Sequence, residues 1–151
     1  MSPFERLLAD LVRADVAFAT VGGVACAFVG HVRTTDDVHI VVDPDPVNIG
    51  KLLAVLAGFG EGHACELDPT DFTDEPGAIR IVEDFPLDVF TRMGELSWAD
   101  LVPHIRRTRV GDVDIPHLDI EGLIRVKGPS LRERDRIDVA VLRELLSREH
   151  G

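Results

Sequence analysis

The chain has 151 residues, 45% of them apolar, and carries 27 acidic against 16 basic side chains for a formal net charge of −11. That length supports one sizeable core, and that charge disfavours a protein that coats nucleic-acid backbones, which needs a basic face to displace counterions. No stretch approaches the roughly 18 to 20 apolar residues of a membrane span, and the opening MSPFERLLADLVRAD lacks the basic start and unbroken apolar run of a secretion signal, so the chain reads as cytoplasmic with no membrane partner. Cys26 and Cys65 match no CxxC pattern and read as buried free thiols in a reducing compartment.

Ser2-Pro3-Phe4-Glu5 supplies an N-cap, a proline at the first helical position and a capping-box glutamate ahead of Leu7, Leu8, Leu11 and Val12, which predicts a first helix. Val16 to Val21 is a short apolar run suited to a buried strand. Gly22-Gly23 breaks it before the small-residue segment Val24 to Val29, predicted as a second helix. A strand is predicted over Asp37 to Val42, closed by Asp43-Pro44-Asp45-Pro46, and then a helix from Pro46 through Leu56 that ends at Gly58 and Gly60. Between Glu61 and Asp84 the acids, glycines and prolines leave only weak strands, around His63 to Leu67 and Ala78 to Val82. Pro86 to Thr91 reads as a strand with Leu87 and Val89 on one face and Asp88 and Phe90 on the other. Arg107 to Leu118 is predicted as a hairpin about Val110-Gly111-Asp112-Val113, followed by helices near Asp119 to Lys127 and Leu131 to Ser147. The pattern predicts an α/β fold: a mixed sheet flanked by helices in a single domain 1–151, with its core over about 1–95 and a C-terminal hairpin and helices over about 96–151.

Ligands on such sheets sit at strand ends beside helix N-termini, and Gly22-Gly23 lies at such a junction. Glycines there let backbone N–H groups approach a polyphosphate; a tight strand-to-helix turn with no ligand is the alternative. Asp37 and His39, two apart on a strand, share one face about 6 to 7 Å apart along the backbone, and Asp88 joins them if its strand is a neighbour. Carboxylates clustered in this way hold Mg²⁺, which takes hard oxygen ligands and shares them with substrate phosphates. Arg33 offers the guanidinium suited to phosphate, with a salt bridge to Asp36 or Asp37 as the alternative. Arg132, Arg134, Arg136, Arg143 and Arg148 gather in the last segment and could form a local basic surface for one phosphate-bearing ligand. His31 reads as a turn residue, and His63, Cys65 and Glu66 lack the second ligand pair of a metal site.

The run Gly22-Gly23-x-Ala25, then Gly30, Arg33, Thr34 or Thr35, Asp37 and later Leu87-Asp88-Val89 resembles the nucleotidyltransferase superfamily with the DNA polymerase β-like fold. The pattern is most similar to small bacterial members, antibiotic nucleotidyltransferases and the toxin-like proteins of abortive-infection systems. Trp98, the hairpin, Ile120 to Ile124, Lys127 and Arg132 to Asp138 resemble the latter half of such proteins. The resemblance implies transfer of a nucleoside monophosphate from a nucleoside triphosphate (NTP) to a small molecule, an RNA end or a protein hydroxyl, with pyrophosphate released. It implies nucleotide-binding roles for Gly22, Gly23, Arg33, Thr35 and Lys127, and catalytic roles for Asp37 and Asp88. Those two aspartates and the residue at 39 would be the metal ligands, with two Mg²⁺ ions stabilising the attacking and leaving oxygens. Asp135 and Asp138 are expected on the acceptor side or in helix packing.

In the family an acid stands where this chain has His39. Imidazole removes a negative charge and offers Mg²⁺ a nitrogen that it tolerates poorly, which predicts weakened or absent Mg²⁺ catalysis, with Mn²⁺ as the nitrogen-tolerant option. Two readings stand on the sequence. One is a nucleotidyltransferase; the other is a catalytically degenerate member that binds a nucleotide or a partner protein. The small size leaves little room for an acceptor domain, so the second half or another subunit, in a homo-oligomer or with a partner protein, is expected to supply it.

Overall fold

The computed structural model describes residues 1–150. Helix α1 (Pro3–Arg13) starts at the predicted capping box: the Glu5 amide donates to the Ser2 hydroxyl at 3.1 Å, and the Ser2 amide donates to the Glu5 carboxylate at 2.8 Å. These two bonds satisfy amides that a helix start leaves without partners. Leu7, Leu8 and Leu11 form its buried stripe.

The strands β1 (Phe18–Val21), β2 (Val38–Val42), β3 (Ile79–Val82), β4 (Pro86–Phe90), β5 (Ile105–Val110) and β6 (Val113–Leu118) form one sheet in the order β3-β4-β2-β1-β6-β5. β1 runs antiparallel to β2 and parallel to β6, and β2 runs parallel to β4. β3 with β4 and β5 with β6 are antiparallel pairs joined by short turns. The sheet is therefore mixed, as the α/β pattern implies.

Side chains alternate across each strand, and both faces are covered. Ile40, Val42, Leu87, Val89 and Ile115 pack with α1 and with α3 (Pro46–Leu56). Ala19, Val21, Val41 and Leu118 face α2 (Gly22–Phe28), α5 (Ile120–Lys127) and α6 (Glu133–His150), and the short α4 (Trp98–Leu101) adds Leu101 to that side. His39 and Asp88 alternate with the residues of the first face and so belong to the second. Asn48, at the start of α3, ties the layers: its side chain accepts from the Ala17 amide at 2.7 Å and donates to the carbonyls of Ala17 and Asp43 at 3.0 and 2.9 Å. Among the described residues no helix is long and apolar enough to cross a membrane.

The chain departs from the sequence pattern at several points. α2 opens at Gly22, not Val24, because the glycine pair itself turns from strand into helix, with Gly22 at φ +68°. β2 starts at Val38 and leaves Asp37 at its entrance. The strand predicted around His63 to Leu67 is absent. Gly62 at φ +79° leads into a 3-10 turn over His63–Glu66, and the Glu83 carboxylate accepts from the amides of Glu61 and His63 at 3.2 and 3.0 Å. Those amides are thereby withdrawn from any strand ladder. Cys26 is buried as expected, whereas Cys65, on the outer side of that turn, is exposed.

Candidate functional site

Strand register brings the candidate residues into one row. Parallel pairing of β2 and β4 sets His39 opposite Asp88, antiparallel pairing of β3 and β4 sets Arg80 opposite Asp88, and β1 places Val21 beside His39. Paired residues on one face of a sheet are near enough for their side chains to interact directly. His39 Nε2 lies 3.0 Å from an Asp37 Oδ2 and 3.0 Å from Asp88 Oδ2. From the other side, Arg80 donates from Nε to Asp88 Oδ1 at 2.9 Å and from Nη2 to Asp88 Oδ2 at 3.2 Å and Asp37 Oδ2 at 3.3 Å. Asp88 is nearly buried, while the Arg80 side chain is 54% exposed. One ligand atom from each of Asp37, His39 and Asp88 lies within 4.8 Å of the others. Two carboxylate oxygens and one imidazole nitrogen converging from adjacent strands form a donor set that can hold a metal ion.

The glycine pair makes room for this arrangement. A Cβ on Gly22 would sit 3.1 Å from the His39 ring, on a backbone whose φ of +68° already disfavours any other residue. A Cβ on Gly23 would fall 2.7 Å from Thr35 Oγ1 and 2.9 Å from Arg33 Nη1. The two glycines thus let the site's own side chains cross the start of α2, a packing reason for the pair that holds with or without a ligand.

A second polar cluster braces the far wall. Arg33 forks onto Asp138, Nε to Oδ1 at 2.8 Å and Nη2 to Oδ2 at 2.9 Å, in place of a bridge to Asp36 or Asp37. His31 Nε2 lies 2.8 Å from the same Oδ1, so it is a member of this network and not merely a turn residue. Lys127 Nζ reaches Asp138 at 3.0 Å and Asp135 at 3.1 Å, and Ser130 donates to Asp135 at 2.7 Å. The Asp138 side chain is fully buried. Burial alone would raise its carboxyl, but Arg33, Lys127 and His31 overcome that and hold it well below the usual carboxylate range. Asp135 is also lowered, burial being outweighed by Ser130 and Lys127. Of its two expected placements Asp138 thus takes the one in helix packing, and Lys127 is a buried, paired cation.

Between the two clusters lies a cleft of about 640 Å³. It is lined by all eight residues that the sequence singles out, Gly22, Gly23, Arg33, Thr35, Asp37, His39, Asp88 and Lys127, together with Arg80, Arg132 and Arg134. Five basic and three acidic side chains thus line a cleft in a chain whose net charge is −11. Arg132 and Arg134 come from the arginine-rich last segment; Arg80 stands outside every pattern that the sequence offers. The signal for it lay in the Glu83-Asp84-Phe85 turn, since a hairpin closed there sets residue 80 opposite residue 88. Neither a protein-family model nor a curated protein sequence matches this chain.

Proposed function

We propose that the cleft binds the triphosphate of a nucleotide together with a divalent ion, and that the protein is a nucleotidyltransferase-like enzyme transferring a nucleoside monophosphate to an acceptor hydroxyl. The observation that carries this reading is the convergence of three distant segments, residues 22–39, 80–88 and 127–135, on one locally basic cleft in an acidic chain. Its volume falls within the roughly 300 to 1,000 Å³ of small-molecule sites.

Asp37, His39 and Asp88 would hold the ion. An ion held there would supply charge to offset that of the phosphate oxygens, while the acceptor hydroxyl would pass its proton to the Asp88 carboxylate, its oxygen bonding to the α-phosphorus as the bond to pyrophosphate breaks. A set containing imidazole suits Mn²⁺ better than Mg²⁺. Arg132 and Arg134, near the start of α6, offer guanidinium donors to the phosphates. Arg33 and Lys127 are committed to Asp138 and Asp135, and their part is to keep the wall in place with donors still edging the cleft.

A second reading, a catalytically silent member that binds nucleotide or a partner protein, is favoured by one observation: His39 and Arg80 already engage both carboxylates. Incubation with each α-³²P-labelled NTP, in Mg²⁺ and in Mn²⁺, separates the two when wild type and His39→Asp are compared against small-molecule, RNA and protein acceptors. Label transfer by wild type supports the enzyme. Transfer only by His39→Asp supports the silent member, and transfer by neither, with no nucleotide retained, rejects the proposal.

A further inference from the structure

We infer that Arg80 is a built-in, displaceable cation that competes with a divalent ion for the Asp37–Asp88 carboxylate pair and so sets the metal affinity of the site. The inference rests on the reading of Asp37, His39 and Asp88 as the metal-holding cluster. It does not require that the ligand of the cleft be a nucleotide.

Three features of Arg80 carry it. Its guanidinium forks onto Asp88 and reaches Asp37 Oδ2, the same oxygen that faces His39, so one side chain spans both acidic ligands. Forked, charge-assisted bonds of this kind are among the stronger polar contacts in proteins. Its backbone is held opposite Asp88 by the β3–β4 pairing, which delivers the guanidinium to the carboxylates as a consequence of register. Its side chain is nevertheless 54% exposed and lines the open cleft, so it can swing into solvent while an arriving ion takes its place beside the nearly buried Asp88 carboxylate.

With Arg80 in place, the pair of negative carboxylates already faces a positive charge, and an arriving cation must displace that charge against its repulsion. Without Arg80, the full charge of the pair attracts the ion. Because Arg80 is solvent-exposed, the competition is screened by salt and is strongest at low ionic strength. Arginine is charged at every accessible pH, so the competition does not depend on titrating Arg80.

The test is titration of Mn²⁺ alone, followed by the loss of the free-ion paramagnetic resonance signal, at low and at high salt. The proteins compared are wild type, Arg80→Ala, Arg80→Gln and the double variant Arg80→Ala/Asp88→Asn. Arg80→Gln retains much of the side-chain stem, so the comparison survives if the alanine variant folds poorly; thermal melts establish which variants are folded. The expected result is Mn²⁺ affinity about tenfold higher in the single variants at low salt, a smaller gain at high salt, and no gain in the double variant. Equal affinity in wild type and a folded single variant overturns the inference, as does a gain that persists when Asp88 is neutralised. A separate NTP titration keeps the two proposals apart: loss of the Arg80 effect with NTP still bound refutes only the competition, and an Arg80 effect without NTP binding refutes only the nucleotide reading.

Discussion

Asp138→Asn removes the charge on which the far wall of the cleft converges. The carboxylate is fully buried and faces Arg33 at 2.8 and 2.9 Å, His31 at 2.8 Å and Lys127 at 3.0 Å. Arg33 and Lys127 are themselves largely buried, so neutralising Asp138 leaves two cations in a poorly solvated wall with only Asp135 to share. Breaking a buried ion pair from one side costs about 3 to 5 kcal/mol, and urea unfolding of Asp138→Asn is expected to show a loss in that range. The pH dependence gives a second readout. A carboxyl whose folded-state value is depressed contributes stability that is fully present above its unfolded value near about pH 4, and that is lost as pH falls through the folded-state value. From this group wild type should lose up to about 1.4 kcal/mol per pH unit below about pH 4, and Asp138→Asn should lack that component. A cost below about 1 kcal/mol, or an acid limb identical in the two proteins, would refute the bracing role.

Gly23→Ala should cost about 1 to 3 kcal/mol by overpacking, since its methyl would meet Thr35 Oγ1 at 2.7 Å and Arg33 Nη1 at 2.9 Å; a melting temperature equal to wild type would contradict this. Burial pushes the Cys26 thiol up to about 11, whereas Cys65 is exposed. An aromatic disulfide reagent is therefore expected to titrate one thiol quickly in the native protein and both in denaturant, and two fast native thiols would be inconsistent with the buried position. Asn48→Ala strands the Ala17 amide and the Asp43 carbonyl, while the Ala17 carbonyl keeps the Asp43 amide, and an expected loss of about 1 to 3 kcal/mol can be read from denaturant midpoints.

What was legible in the sequence was mainly local chemistry. The capping box at Ser2 and Glu5, the Asp45-Pro46 start of α3 and the Gly111-Asp112 turn each fix backbone geometry within a few residues, and each element formed where its signal stood. Alternation on β2 and β4 placed His39 and Asp88 on the face where they meet. What stayed hidden depends on distant partners. The Arg33 partner, Asp138, is 105 residues away, and no spacing rule connects a loop to the second turn of the last helix. Arg80 sits in a strand too short and too exposed to stand out, and its importance follows only from the pairing with Asp88. The segment around His63 suits a weak strand by composition, whereas its 3-10 geometry is decided by Glu83, some 20 residues on.

The most direct test of the nucleotide-metal site is calorimetric titration of the four NTPs, each with Mg²⁺ and with Mn²⁺, into wild type and His39→Asp. Saturable binding of at least one NTP to wild type is expected, stronger with Mn²⁺ than with Mg²⁺, together with a gain in Mg²⁺-dependent binding when His39 becomes a carboxylate. Absence of NTP binding to both proteins with either ion would contradict the nucleotide reading. Unchanged Mg²⁺ dependence in His39→Asp would contradict the role assigned to His39.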